Sequence, residues 1–321
     1  MALTESEVQS NNNLRLTSPK VLIAFLLVTL IWSTTWFIIR GQLNTVPANW
    51  SVCYRFFIAG LMMFLFCRAK GYKITLDRGN QLFCMVSGLL LITASYGFVY
   101  AAESHITSGL VAVAFALVII PNSFFARVFL GKKSSPYFVL GSALAGIGLG
   151  LLFRNQLGHF SSDTETRLGL GLSLLGVLSA SLGEVLLATP RGRSHPMPVF
   201  LAWSMIWGSI GIGVVALFID GAPVFDTSLP YLESLLYLTV FGSVLAFIFY
   251  FYVLQAVGPA MSAYSHVLIP IVAMGISTLF ENYIWGISAI AGSGMVLLGL
   301  LLTLKSQQPN TPIPLETMIV D

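Results

Sequence analysis

Ten stretches of this 321-residue chain are apolar for about the length that a helix needs to cross a lipid bilayer. A helix rises 1.5 Å per residue, so about 30 Å of hydrocarbon takes about 20 residues. The stretches are 21–39, 50–67, 81–100, 106–128, 136–153, 168–188, 199–219, 232–254, 260–280 and 284–304. They are apolar on every side, as in Leu22 to Leu30, whereas barrel strands alternate apolar and polar residues. Only 9% of the residues are charged, against about 25% in an ordinary soluble domain. So few charges cannot cover a water-facing globule, and the solvent around most of this surface is lipid. The fold class expected is an all-α membrane protein.

The positive charges test the map independently. With the N-terminus in the cytoplasm, twelve of the sixteen Lys and Arg fall on the inner side. Three (Arg40, Arg154 and Arg167) fall outside, and Arg55 lies within the second span. Short cytoplasmic loops are enriched in Lys and Arg. The alternation therefore supports ten spans with both termini inside. Residues 1–20 and 306–321 are polar and read as cytoplasmic tails. No small-residue cleavage site follows Leu30, so the first span reads as a retained helix rather than a secretory signal.

The fifth span carries Ser142-Ala143-Leu144-Ala145-Gly146-Ile147-Gly148 and the tenth Ser288-Ala289-Ile290-Ala291-Gly292-Ser293-Gly294, identical at five of seven positions. A unit of five spans must reverse direction in its second copy. The chain is thus expected to be two inverted five-helix repeats, 21–155 and 156–305, an architecture of secondary transporters. The small-xxx-small pairs here (Gly141/Ala145, Ser142/Gly146, Gly146/Gly150 and Ser288/Gly292) let helix backbones approach closely. They fit a homodimer contact, a seam between repeats, or packing inside one repeat.

Further motifs resemble the ten-helix EamA-type branch of the drug/metabolite transporter (DMT) superfamily. The first half has Ile31-Trp32-Ser33-Thr34-Thr35, Pro47, Arg55-Phe56-Phe57-Ile58-Ala59, Tyr100-Ala101-Ala102-Glu103, Ser108-Gly109-Leu110 and Phe129-Leu130-Gly131-Lys132-Lys133. The second has Tyr252-Val253-Leu254-Gln255-Ala256-Val257-Gly258-Pro259-Ala260, Leu268-Ile269-Pro270 and Ser277-Thr278-Leu279-Phe280-Glu281. Lys132 stands where the family usually has an acidic residue, and the usual proline of the fourth span is read as displaced to Pro121. The resemblance implies a secondary transporter of a bacterial inner (plasma) membrane that exports or exchanges amino acids or related small metabolites. Its mechanism would be alternating access around a site formed mainly by spans 1, 3, 4, 6, 8 and 9. A nucleotide-sugar or phosphorylated-metabolite antiporter of the same superfamily is the alternative, but it would favour several deep cations where only Arg55 is available.

An ionisable residue inside a span costs about 2.5–3.5 kcal/mol or more and is a functional candidate by default. Glu184, in the sixth span, is the candidate for proton coupling; otherwise it pairs with Arg191 or Arg193 at the interface. Arg55 either attracts an anionic group of the substrate or ties helices together through backbone carbonyls. His266 lies four residues before Pro270, whose missing N–H frees the carbonyl one turn back. Imidazole and free carbonyl would share one depth, with Pro121-Asn122 as a counterpart in the fourth span. The substrate-binding candidates are Trp32, Tyr96, Asn122, Ser181, Trp207 and His266. Trp50, Tyr231, Tyr283 and Trp285 fall near span ends, as in interfacial aromatic belts.

Other function classes lack their residues. There is no phosphate-cradling Gly-x-x-x-x-Gly-Lys-Ser/Thr, His-Glu-x-x-His or Gly-x-Ser-x-Gly. His105, His159, His195 and His266 fall in unrelated places, and no loop is long enough for a sensor's output domain. Cys53, Cys67 and Cys84 have neither disulfide nor metal-ligand spacing. The expectation is no enzyme, no cofactor, no metal and no nucleic-acid partner. The partners expected are a small-molecule substrate, the lipid bilayer, protons and a second copy of the chain.

Overall fold

A computed structural model describes residues 15–42, 46–106, 111, 114–131, 135–152, 164–280 and 286–305. Most of the two tails, together with Ser108-Gly109-Leu110, Lys132, Lys133, Arg154, His159, Glu281, Tyr283 and Trp285, lie outside the described residues. Ten helical spans appear in the described stretches. They are α1 (Pro19–Gln42), α2 (Ala48–Ala69), α3 (Arg78–Glu103), α4 (Ala114–Leu130) and α5 (Pro136–Leu152) in the first half. The second half has α6 (Thr164–Leu187), α7 (Met197–Ile219), α8 (Leu229–Val257), α9 (Pro259–Ser262 continuing as Tyr264–Phe280) and α10 (Ile287–Leu304). Six of them hold at least 18 residues of a hydropathy suited to crossing a bilayer.

Helix is the form that satisfies every backbone group within one segment, as hydrocarbon requires. Local signals set the ends. Asp77 caps α3, its carboxylate accepting the N–H groups of Gly79 and Asn80. Pro198 and Pro230 occupy the first turns of α7 and α8, where a missing N–H is harmless. Gly131 (φ 65°) ends α4, and Gly258 (φ 87°) makes the turn between α8 and α9, backbone that a side chain would oppose. Many large apolar side chains face outward, Phe218 and Ile287 at 87% and 88% exposure. Such a surface is stable only against lipid.

The helix packing maps onto itself when each helix is exchanged for the one five later. α2 packs on α7 and α5 on α10; α1 on α8 matches α6 on α3, and α1 on α9 matches α6 on α4. Finer features repeat too. α3 and α8 each begin with 11 residues of α-helix and then widen into six residues of π-helix, Leu89–Ala94 and Val240–Leu245. In α4 and α9 the equivalent pairs are Ala114 with Ala263, Leu117 with His266 and Pro121 with Pro270, and the N–H groups of Leu117 and His266 donate to the carbonyls of Ala114 and Ala263. Pro121 is therefore the structural counterpart of Pro270.

The small residues of α5 and α10 form the seam between repeats. A Cβ built on Gly148 would lie 2.6 Å from the Gly292 carbonyl oxygen, and one on Gly292 2.5 Å from that of Gly148. Gly141 and Gly299 repeat this contact at 2.5 Å in both directions. The equivalents are thus Gly141 with Gly292 and Gly148 with Gly299. The sequence match of 142–148 with 288–294 finds the correct helices five residues out of this register. Gly146, Gly150 and Gly294 face open space.

Cross-loop bonds define the two ends of the bundle. At the end where α1 starts, Arg191 Nε donates to Asn80 Oδ1 (3.3 Å) and Trp203 Nε1 to the Ile74 carbonyl (2.9 Å). At the far end, Asn49 donates to Asp220 (2.9 Å), Tyr54 to the Val224 carbonyl (3.0 Å), and His105 meets Glu165 at 2.6 Å. Trp50 and Tyr231 belong to this closure rather than to a lipid-facing belt. They are 6% and 2% exposed, with Trp50 Nε1 on the Gly221 carbonyl and the Tyr231 hydroxyl on Ser51. Proximity to a span end did not distinguish an aromatic facing headgroups from one wedged between α2, α7 and α8.

Candidate functional site

Between the halves lies a cavity of about 80 Å³. Both repeats line it: α1 to α4 from the first, α6, α8 and α9 from the second. These include the six spans expected from the resemblance, with α2 added through Arg55. Aromatic rings make up much of its wall. The Trp32 ring lies 5.0 Å from Tyr250, 4.9 Å from His266 and 6.0 Å, edge-on, from Phe247. Tyr96 packs edge-on against Phe56 at 4.7 Å.

A carboxyl and a guanidinium are buried on this wall, beside the His266 imidazole. Glu184 Oε2 accepts from Asn122 Nδ2 (2.8 Å) and from the Tyr250 hydroxyl (2.7 Å). Asn122 Oδ1 in turn accepts from Ser181 (2.5 Å), and its Nδ2 also reaches the Pro259 carbonyl at 3.4 Å. One carboxyl thereby ties α4, α6 and α8 to the start of α9. Arg191 and Arg193 turn elsewhere, to Asn80 and to the Ala188 carbonyl (3.0 Å), so the interface pairing expected as one reading of Glu184 does not form. Among the described residues no cation lies within ion-pair distance of it.

Arg55 is 1% exposed. Its Nε donates to Ser243 Oγ (2.8 Å) and its Nη2 to the Gly242 carbonyl (3.2 Å). Trp32 Nε1 donates to the same carbonyl at 3.2 Å. Gly242 lies in the π-helical stretch of α8, where the altered hydrogen-bond pattern leaves a carbonyl able to take side-chain donors. The guanidinium also sits over the Phe56 and Tyr96 rings, at 5.1 and 5.3 Å. Its Nη1 is buried without a hydrogen-bond partner. Helix-tying is therefore part of what Arg55 does, with one edge left over.

The structure brings Trp32, Tyr96, His266, Glu184 and Arg55 to the cavity wall. Asn122 and Ser181 lie one layer behind, as partners of Glu184 and of each other. Trp207 is apart, at the contact of α3 and α7, with Nε1 on Gln81 Oε1 (3.0 Å). Tyr250 lines the wall as well, and Gly242 and Ser243 of α8 hold Arg55 there; none of the three is among the site candidates above. A lone tyrosine in an aromatic-rich span carries no signal of its own, and a π-turn has none in composition. Cys53, Cys67 and Cys84 are free thiols, the last two buried, and no group of three potential metal ligands occurs among the described residues.

The description of the EamA-like transporter family matches the chain twice, over residues 19–154 and 167–305. The uncharacterized inner membrane transporter YedA of Escherichia coli K12 is 32% identical over 260 residues, covering 78% of this chain and 79% of its own length. Protein PagO of Salmonella typhimurium is 24% identical (91% and 94% covered), and the uncharacterized transporter YvbV of Bacillus subtilis 23% (89% and 91%). A solved crystal structure shares the fold with a TM-score of 0.72 at 15% identity, over 89% of this chain and 97% of that one. An inverted pair of repeats enclosing a cavity, and a family description that fits each repeat, lead to one conclusion: the chain belongs to the EamA-like transporter family, within the drug/metabolite transporter superfamily, and is a multi-pass inner-membrane transporter of small molecules.

Proposed function

We propose that the protein is a secondary transporter that exports or exchanges amino acids or related small metabolites by alternating access, with Glu184 carrying the coupling proton. The observation that carries this reading is the cavity itself. It lies at the junction of the two repeats, takes its lining from both, and holds a carboxyl bonded at once from α4 and α8. Protonating that carboxyl changes its bonds to α4 and α8 together, which is what coupling a proton to a rocking motion requires. The aromatic wall suits the apolar part of an amphipathic metabolite. Among the described residues Arg55 is the one Lys or Arg on the wall, which disfavours multiply charged phosphate esters as cargo. The orientation that goes with this reading has both termini in the cytoplasm. The basic residues agree: Arg68, Lys70, Lys73, Arg78, Arg127, Arg191 and Arg193 all fall at the end where α1 starts.

The test is counterflow in proteoliposomes with a panel of labelled amino acids and small metabolites, at two pH gradients. Accumulation of at least one compound is expected, enhanced by the gradient in wild type and insensitive to it in Glu184→Gln. Folded protein that moves no compound refutes transport of this class. A gradient response that survives Glu184→Gln refutes the proton role.

A further inference from the structure

The two repeats pack their helices alike but place different side chains between them. The Glu184 carboxyl of α6 holds α4 and α8 through Asn122 and Tyr250, and Asn122 reaches the Pro259 carbonyl at the start of α9. The first turn of α9 packs on α4 here, and Ala126, one turn beyond Asn122, is buried. Helices α4, α6 and α8 finish, and α9 begins, at the end of the bundle where α1 starts. This junction therefore stands between the cavity and that end.

Exchanging the repeats identifies the equivalent junction toward the far end, built from α9, α1 and α3. Gly183 packs on Leu91 and Thr35 on Gly242, the same position in the two π-helical stretches. The hydroxyls of Ser33 and Ser181 make matching crossings, to the Ile269 carbonyl of α9 (3.3 Å) and to Asn122 of α4. The counterpart of Glu184 is therefore Trp36. Those of Asn122 and Tyr250, counted from the paired prolines and the paired π-helical stretches, are Ile271 and Val99. A carboxyl, an amide and a phenol are thus matched by an indole and two aliphatic side chains. None of these three titrates where a carboxyl does.

We propose that the two gates of the transporter are chemically unequal. The gate at the end where α1 starts is a hydrogen-bonded lock, shut while Glu184 is ionised and released when it takes up a proton; the far gate closes by apolar contact and has no titrating group of its own. This rests on the alternating-access reading above and names the gate on which the proton acts. Hydrogen bonds to an ionised group are about twice as strong as bonds between neutral groups. Asn122 and Tyr250 donate to the same carboxylate oxygen, so a single proton weakens both. They act through Glu184 and are positioning residues. The titratable and charged groups that face Glu184 in the cavity are Tyr250 of α8, Tyr96 of α3, His266 of α9 and Arg55 of α2, while α4 offers the neutral Asn122.

The experiment is cysteine labelling, which needs no substrate. Ala126→Cys is introduced into the full chain with Cys53→Ala, and its reaction with a maleimide is followed by peptide mass spectrometry of membranes held in alkaline and in acidic buffer. Rates are divided by those of Ser194→Cys, an exposed site that corrects for the ionisation of the thiol itself. Cys67 and Cys84, buried in the core, should stay unlabelled throughout and so report an intact fold. Acid is expected to raise the corrected rate about tenfold as both bonds weaken. Tyr250→Phe, Asn122→Leu and Glu184→Gln should each raise it in alkaline buffer, and Glu184→Gln should abolish its pH dependence; Ile271→Ala, at the far junction, should leave that dependence in place. A rate that ignores pH in the otherwise unsubstituted protein overturns the lock, whether or not the variants fold. So does a pH dependence that survives Glu184→Gln and thus belongs to another group such as His266, or alkaline protection that survives both Tyr250→Phe and Asn122→Leu. A pH dependence lost in Ile271→Ala overturns the inequality of the gates. Counterflow without this labelling pattern would leave the transporter reading standing, whereas the pattern in protein that moves no compound refutes that reading and not the lock.

Discussion

Replacing Gly148 by alanine tests the claim that α5 and α10 hold the repeats together by backbone contact. The new Cβ would lie 2.6 Å from the Gly292 carbonyl oxygen and 2.9 Å from the Val296 amide nitrogen. Both are backbone atoms of a packed helix, so no rotamer change relieves the clash. Reaching an ordinary contact near 3.4 Å parts the helices locally by about 0.8 Å, a gap that forfeits a quarter to a half of the dispersion energy across it. Overpacking of this kind costs about 1–3 kcal/mol. Alanine also gains about 0.5–1 kcal/mol over glycine inside a helix, which would mask part of the loss. Gly146→Ala removes that ambiguity, since it lies on the same helix with nothing within 4 Å. The propensity gain is common to both variants, so their difference isolates the clash at about 1–3 kcal/mol. The assay is thermal unfolding of the two variants in one detergent, read by tryptophan fluorescence and by retention of the monodisperse peak. Gly148→Ala should melt several degrees below Gly146→Ala, and Gly292→Ala, its partner across the seam, should resemble Gly148→Ala. Equal midpoints for Gly148→Ala and Gly146→Ala would refute the close approach of these helices and the register assigned to the repeats.

Two further outcomes are expected. The Asn80 N–H, with that of Gly79, holds the Asp77 carboxyl below the usual carboxylate range. A depressed native pKa contributes stability above the unfolded value, near 4, and loses it as pH falls through the native one. Asp77→Ala should therefore destabilise at pH 7 and match wild type in strongly acidic buffer; a stability difference that does not shrink on acidification would count against the cap. Reporter fusions before Met1 and after Asp321 should both report the cytoplasm; reporters on opposite sides would refute an even number of crossings.

The sequence alone settled the solvent and the architecture. Apolar runs near twenty residues long admit one reading in lipid, because a helix must satisfy its own backbone, and the clustering of Arg68 to Arg78 and of Arg191 with Arg193 on alternate loops agrees with ten of them. It also picked out Glu184 and Arg55, since a charge in a span is expensive enough to stand out. Partners were not readable in this way. That Glu184 meets Asn122 and Tyr250 rather than Arg191, that Trp207 serves the α3–α7 contact rather than the cavity, and that Trp50 and Tyr231 are buried depends on how far each helix is rotated about its axis. In membranes that rotation is set by close packing of small residues such as Gly148 and Gly292, and such packing is decided by three-dimensional fit. A seven-residue likeness could name the two helices of the seam, yet only their contact gave its register.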